Sequence, residues 1–146
     1  MGPSLSGQLL LDNSAWARLG VHALPAGRLD EIANAIEAGR IVVCLPFILE
    51  AGYSACAAAD HEQLFAELLA LPWAAVDVDV EQRALDAQRQ LARSGHDRLP
   101  PVDLLIAAVA DRHRLGVLHY DGDYDLIARE TELDFRSVWL AERGSL

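Results

Sequence analysis

The chain contains no lysine. All twelve of its basic residues are arginine, against twenty-two acidic residues, and the formal charge is −10. That excludes non-specific nucleic-acid binding through a uniformly basic surface, and any mechanism that needs a lysine. Cysteine is scarce too. Cys44 and Cys56 both lie in apolar segments, make no CxxC, and the five histidines have no zinc-ligand spacing. Neither a disulfide framework nor a zinc site is expected, and the cysteines read as small hydrophobes of a reducing cytosol. No apolar run reaches the roughly 18 residues of a membrane span. The opening MGPSLSGQ lacks a charged n-region and an apolar h-region, so no signal peptide is expected. A cytoplasmic protein without membrane contact is the expectation.

What is present is a globular composition, 52% apolar over 146 residues, enough for one domain with a sizeable core. Gln8–Asp12 is a short apolar run that ends in a carboxylate, read as a buried strand, and a helix starts near Ser14. Leu29, Ile32, Ala33 and Ile36 recur at i, i+3, i+4 and i+7, which predicts an amphipathic helix over 26–38 closed by Gly39. Ile41–Leu45 is a second strand. Pro46 suits the first turn of the next helix, expected to run to about Ala58 and to carry Glu50. A helix over about 61–71 follows. Val76, Val78 and Val80 alternate with Asp77 and Asp79, which predicts a half-exposed edge strand over 74–80 whose aspartates guard against edge pairing. A polar helix over 81–93 and a loop over 94–101 come next. Val102 to about Arg114 is apolar nearly all round and is expected to be a central helix. A strand at 117–120, a helix at 123–130 and a last strand at 135–139 complete an α/β pattern with a parallel sheet covered on both faces.

Four carboxylates meet in this arrangement. The carboxyl ends of parallel strands form one rim, where ligands bind at the point of reversed strand order. Asp12 ends the first strand and Asp121 the fourth. Glu50 is one turn into the helix that leaves the second. Asp103 sits in the first turn of a helix whose start returns to that rim, since the loop 94–101 spans roughly 26 Å when extended. Each acid also has an ordinary reading: Asp12 and Asp103 as helix caps or dipole partners, Glu50 on a solvated face, and DGDYD as an aspartate-rich turn. Asp125 is expected to be a solvated helix-start residue. Clustered like charges repel unless neutralised, and hard oxygen donors without His or Cys select Mg²⁺ or Mn²⁺. Such a site suits phosphodiester hydrolysis. Arg98, Arg112 and Arg114 are candidates for holding phosphate.

The stretches LLLDNSAW, PFILEAGYSA and LPPVDLLIAAVADRHRLGVLHYDGDYDLIA resemble those of the PIN domain, and within it the VapC-type toxin ribonucleases of bacterial toxin–antitoxin pairs. The likeness covers about residues 8–140. It implies a three-layer α/β/α fold over 1–146 with a parallel sheet ordered 3-2-1-4-5, and residues 1–7 as a flexible extension. It implies Asp12, Glu50, Asp103 and Asp121 as catalytic metal-site acids, with Asp123 as a fifth ligand. Ser14 is the expected hydrogen-bonding neighbour, and it is grouped with Arg112 on the substrate-binding side. It implies Mg²⁺- or Mn²⁺-dependent cleavage of RNA, a homodimer, and a VapB-type antitoxin that blocks the site. Asn13 departs from the usual Thr or Ser. A catalytically inert PIN-like module that binds RNA or protein is the alternative. A receiver or haloacid-type phosphatase is disfavoured, because the lysine and the DxD after the first strand are missing.

Overall fold

The computed structural model describes residues 5–55 and 57–146; Cys56 lies outside the described residues. Eleven elements follow in order: β1 (Leu9–Leu11), α1 (Asn13–Trp16), α2 (Arg28–Glu37), β2 (Ile41–Val42), α3 (Leu45–Tyr53), α4 (Ala58–Leu68), α5 (Val78–Arg93), α6 (Pro101–His113), β3 (Gly116–His119), α7 (Asp123–Glu130) and β4 (Ser137–Trp139). The sheet is parallel throughout, in the order β2-β1-β3-β4. All three residues of β1 and all four of β3 are buried. That continuous burial is what a parallel strand covered on both faces requires.

The register places the strand ends. Leu9, Leu10 and Leu11 face Gly116, Val117 and Leu118, and the Asp12 amide extends the ladder by donating to the Leu118 carbonyl at 3.0 Å. Asp12 therefore ends β1 beside the end of β3, two residues before Asp121. α6 is the central helix. Leu104, Ile106, Ala107, Ala108, Val109 and Ala110 are all buried, and it packs on β1, β3, α3, α5 and α7. It ends at Arg114 in the left-handed region, φ 57°.

One expected strand is replaced. Residues 74–80 do not form an edge strand. Among the described residues, a single parallel bridge, Val43 to Trp73, adds to the sheet beyond β2. Counting that bridge in chain order recovers the arrangement 3-2-1-4-5. The chain then turns into α5 three residues earlier than the polar pattern suggested. Asp77 is its N-cap, accepting from the Val80 amide at 2.9 Å, and Asp79 and Glu81 fill the acidic first turn. The alternation of valine and aspartate is a capping sequence, in which Val80 is buried as a helical residue. The helix bearing Glu50 ends at Tyr53 rather than about Ala58, and α4 begins at Ala58.

Cys44 is fully buried, and burial pushes its thiol up to about 12. Of the seven residues expected to form a loose extension, 1–4 lie outside the described residues. Leu5 is packed into the core, and its carbonyl accepts from Arg40 at 2.6 Å.

Candidate functional site

The site lies at the carboxyl ends of β1 and β3. One carboxylate oxygen from each of Asp103, Asp121 and Asp123 lies within 4.8 Å of the others. Asp103 is delivered by the third residue of α6, after a start pre-set by Pro100 and Pro101. Asp121 and Asp123 flank the turn from β3 into α7. The Asp121 carboxylate accepts from the Asp123 amide at 3.0 Å, so it also starts that helix.

Asp12 and Glu50 border this trio. The two oxygens of Asp12 are both engaged. One accepts from the Tyr124 hydroxyl at 2.6 Å; the other accepts from the amide and hydroxyl of Ser14. The Ser14 oxygen in turn accepts from the Tyr120 amide at 2.8 Å, which ties α1 to the end of β3. Ser14 thus fulfils the expected role of neighbour to Asp12. Its hydroxyl is committed to protein partners rather than facing a substrate. Glu50 is half-buried on α3, and its carboxyl is raised by burial and then by the charges of Asp12 and Asp121.

The electrostatics report crowding. Asp103 is 7% exposed. Burial, then the charges of Asp121 and Asp12, push its carboxyl up to about 8, and it shares hydrogen bonds with Asp121 and Asp123. Asp123 is also raised, by burial and by Asp121, with Asp103 and Arg143 acting in the opposite sense. A metal-free site therefore holds a proton where a cation would otherwise balance charge. An all-carboxylate donor set with that much unrelieved repulsion fits a hard divalent ion such as Mg²⁺ or Mn²⁺.

One expected substrate-side residue falls elsewhere. Arg112 is nine residues beyond Asp103 on the same helix, roughly 13 Å along its axis. It pairs with Asp77 and Asp79 at 3.2 Å, at the far end of α6 from the acids. The guanidinium fork suits phosphate, but the length of the helix keeps Arg112 away from the acids. Asp125 lies in the first turn of α7, as expected, but is half-buried and partnered rather than freely solvated. It accepts from the Ser137 hydroxyl at 2.6 Å and from the Trp139 indole N–H at 2.9 Å, fastening α7 to β4.

A family model described as the PIN domain matches residues 9–130. The chain belongs to the PIN domain family. It is 38% identical over 138 residues to ribonuclease VapC51 of Mycobacterium tuberculosis, covering 94% of this chain and 96% of that protein. It is 38% identical over 125 residues to ribonuclease VapC2 of the same organism, covering 84% and 86%. Among solved structures it shares its fold with DNA-bound VapBC from Salmonella typhimurium, with a TM-score of 0.70 at 17% identity over 93% of this chain and all of that one.

Within this PIN domain the buried hydrogen-bond relay behind Asp121 escaped sequence reasoning. His119 is fully buried. Its Nδ1 accepts from the Asp121 amide at 3.1 Å, so the proton resides on Nε2, which donates to the Ser137 hydroxyl at 2.7 Å. Ser137 donates onward to Asp125. Burial holds the imidazole down, to about 4, so it is neutral at physiological pH. Tyr124 packs on that ring at 4.8 Å between centroids and donates to Asp12. The motif HYDGDYD contains His119, Asp121, Tyr124 and Asp125, but Ser137 comes to them only through β4.

Proposed function

We propose that the chain is a metal-dependent endoribonuclease toxin of the VapC kind, restrained by a VapB-type antitoxin. The observation that carries this is the convergence of Asp12, Glu50, Asp103, Asp121 and Asp123, from four separate parts of the chain, on one end of the sheet. The relatives named as VapC ribonucleases, matched along nearly their whole length, support the activity. The VapBC complexes among its structural neighbours support the partner.

In this reading Asp103, Asp121 and Asp123 would hold Mg²⁺ or Mn²⁺, with Asp12 and Glu50 completing the ring of carboxylates. When bound, the metal polarises a phosphodiester and lowers the proton affinity of water beside it. The chain's own part is positioning. Tyr124 and Ser14 fix the Asp12 carboxylate from two sides. His119 fixes the main chain at Asp121. Asp103, rigid on a buried helix, would hold a cation only in its deprotonated form. With His119 neutral and committed to two bonds, general-base work falls to the carboxylates. An exposed apolar stripe on α3 (Leu45, Leu49, Tyr53) supports self-association into the homodimer that the family resemblance implies.

Cleavage of total bacterial RNA by the purified chain tests the reading. Asp12→Asn is expected to abolish cleavage while the circular dichroism spectrum is kept. EDTA is expected to stop the wild type and Mn²⁺ to restore it. Full cleavage by Asp12→Asn at saturating Mg²⁺, or cleavage indifferent to chelation, would remove the assignment.

A further inference from the structure

We propose that Arg143 binds a backbone phosphate of the RNA strand that lies across the carboxylate cluster. This rests on the ribonuclease reading and adds a substrate-binding residue to it. A ring of acids opposes the approach of a polyanion even after one divalent ion is bound, so a cation beside the ring is required on the substrate side. Five of the other eleven arginines are held by carboxylates. Arg28, Arg83, Arg89, Arg112 and Arg129 are each paired with a carboxylate. Arg143 makes no ion pair among the described residues.

Its location is built. The guanidinium lies directly over Gly122, the residue between Asp121 and Asp123. A Cβ at Gly122 would come within 2.9 Å of Cζ and of Nη2. Gly122 has φ −61° and ψ −15°, a conformation open to any residue. What glycine contributes there is the missing side chain, which leaves room for the guanidinium. The Arg143 Cζ also sits 5.8 Å from the centre of the Trp139 ring, a cation–π placement. That ring is itself held by Asp125. The backbone bearing Arg143 is fastened to the site through Tyr120: the Leu146 amide donates to the Tyr120 hydroxyl at 2.8 Å, and that hydroxyl donates to the Glu142 carbonyl at 3.4 Å. A second guanidinium, that of Arg18, lies 4.9 Å from the centre of the Tyr120 ring and donates to the Ser14 carbonyl at 2.8 Å. Exposed, unpaired and laid flat beside two of the acids, the Arg143 fork has the geometry that takes two phosphate oxygens at once.

The test is fluorescence anisotropy of a labelled single-stranded RNA in Ca²⁺ over a range of salt, with Mn²⁺ affinity measured separately by calorimetry. Arg143→Ala is expected to weaken RNA binding about tenfold, the scale of one good ionic contact. It should lower the log–log salt slope by about 0.7, one phosphate's worth for a single strand. Its Mn²⁺ affinity should stay equal or rise, because a positive neighbour of the metal is gone. Gly122→Ala keeps Arg143 but displaces it, and should weaken RNA binding as well. Arg143→Ala binding RNA like the wild type overturns the inference. So does Gly122→Ala binding like the wild type, or a parallel fall in Mn²⁺ affinity for Arg143→Ala, which marks a role in holding the loop. A wild type that binds no RNA at all instead takes down the ribonuclease reading, and this inference with it.

Discussion

Replacing Asp103 by asparagine is expected to stabilise the metal-free protein, most strongly at the alkaline end. The Asp103 carboxyl is pushed from an ordinary 3.8 to about 8 in the folded state. Between those values the folded chain keeps a proton that the unfolded chain has released. Raising the pH through this window therefore favours unfolding, and the loss stops once the folded group also ionises. The single-site limit is about 1.4 kcal/mol per pH unit. Over the three units from about pH 5 to about pH 8, Asp103 is expected to cost on the order of 2–4 kcal/mol. Asparagine keeps the shape and carries no charge. Urea unfolding in EDTA across that range measures the difference between Asp103→Asn and the wild type. The variant should be the more stable at about pH 8, with the gap closing towards pH 5. Saturating Mn²⁺ should raise the wild type and leave the variant little changed. A gap that does not vary with pH, or one that closes as pH rises, would refute the placement of a buried, repelled carboxyl at 103.

Tyr124→Phe removes the buried donor to Asp12 and should cost about 1–3 kcal/mol in urea unfolding of the metal-free protein, with cleavage reduced rather than abolished. An unchanged midpoint would mean that the Asp12 oxygen is satisfied without it. Asp77→Ala removes the cap of α5 and should lower the melting temperature by a few degrees with RNA cleavage intact, whereas Asp77→Ser should keep the cap. An unaffected melting temperature in Asp77→Ala would return 74–80 to the extended conformation that the alternation suggested.

Much of the site is legible in the sequence because its acids sit at element boundaries. A strand that ends in Asp12, a helix opened by two prolines just before Asp103, and a strand that stops at Asp121 are all local signals, and parallel topology then gathers them on one rim. The sequence is ambiguous where two local signals compete. Val76–Val80 satisfies a strand period of two and also the Asp-x-x-Val spacing of a capped helix start, and burial of Val80 against neighbouring helices decides for the helix. Partners distant in sequence could not be read at all. Asp125 reads in sequence as an ordinary helix-start acid; β4 brings Ser137 and Trp139 to it. Arg143 carries no motif, and its nearness to Gly122 exists only in three dimensions.

The pairing of β1 with β3 also sets a timetable. Leu9 faces Gly116, so the two central strands emerge from the ribosome about 5–20 s apart at ordinary rates of synthesis. During that interval the nascent chain gains Glu50 and can pair β1 with β2, but β3 and Asp121 are still missing. The carboxylate ring closes only when the last third of the chain has been made. For most of its synthesis the chain therefore carries an incomplete set of these carboxylates.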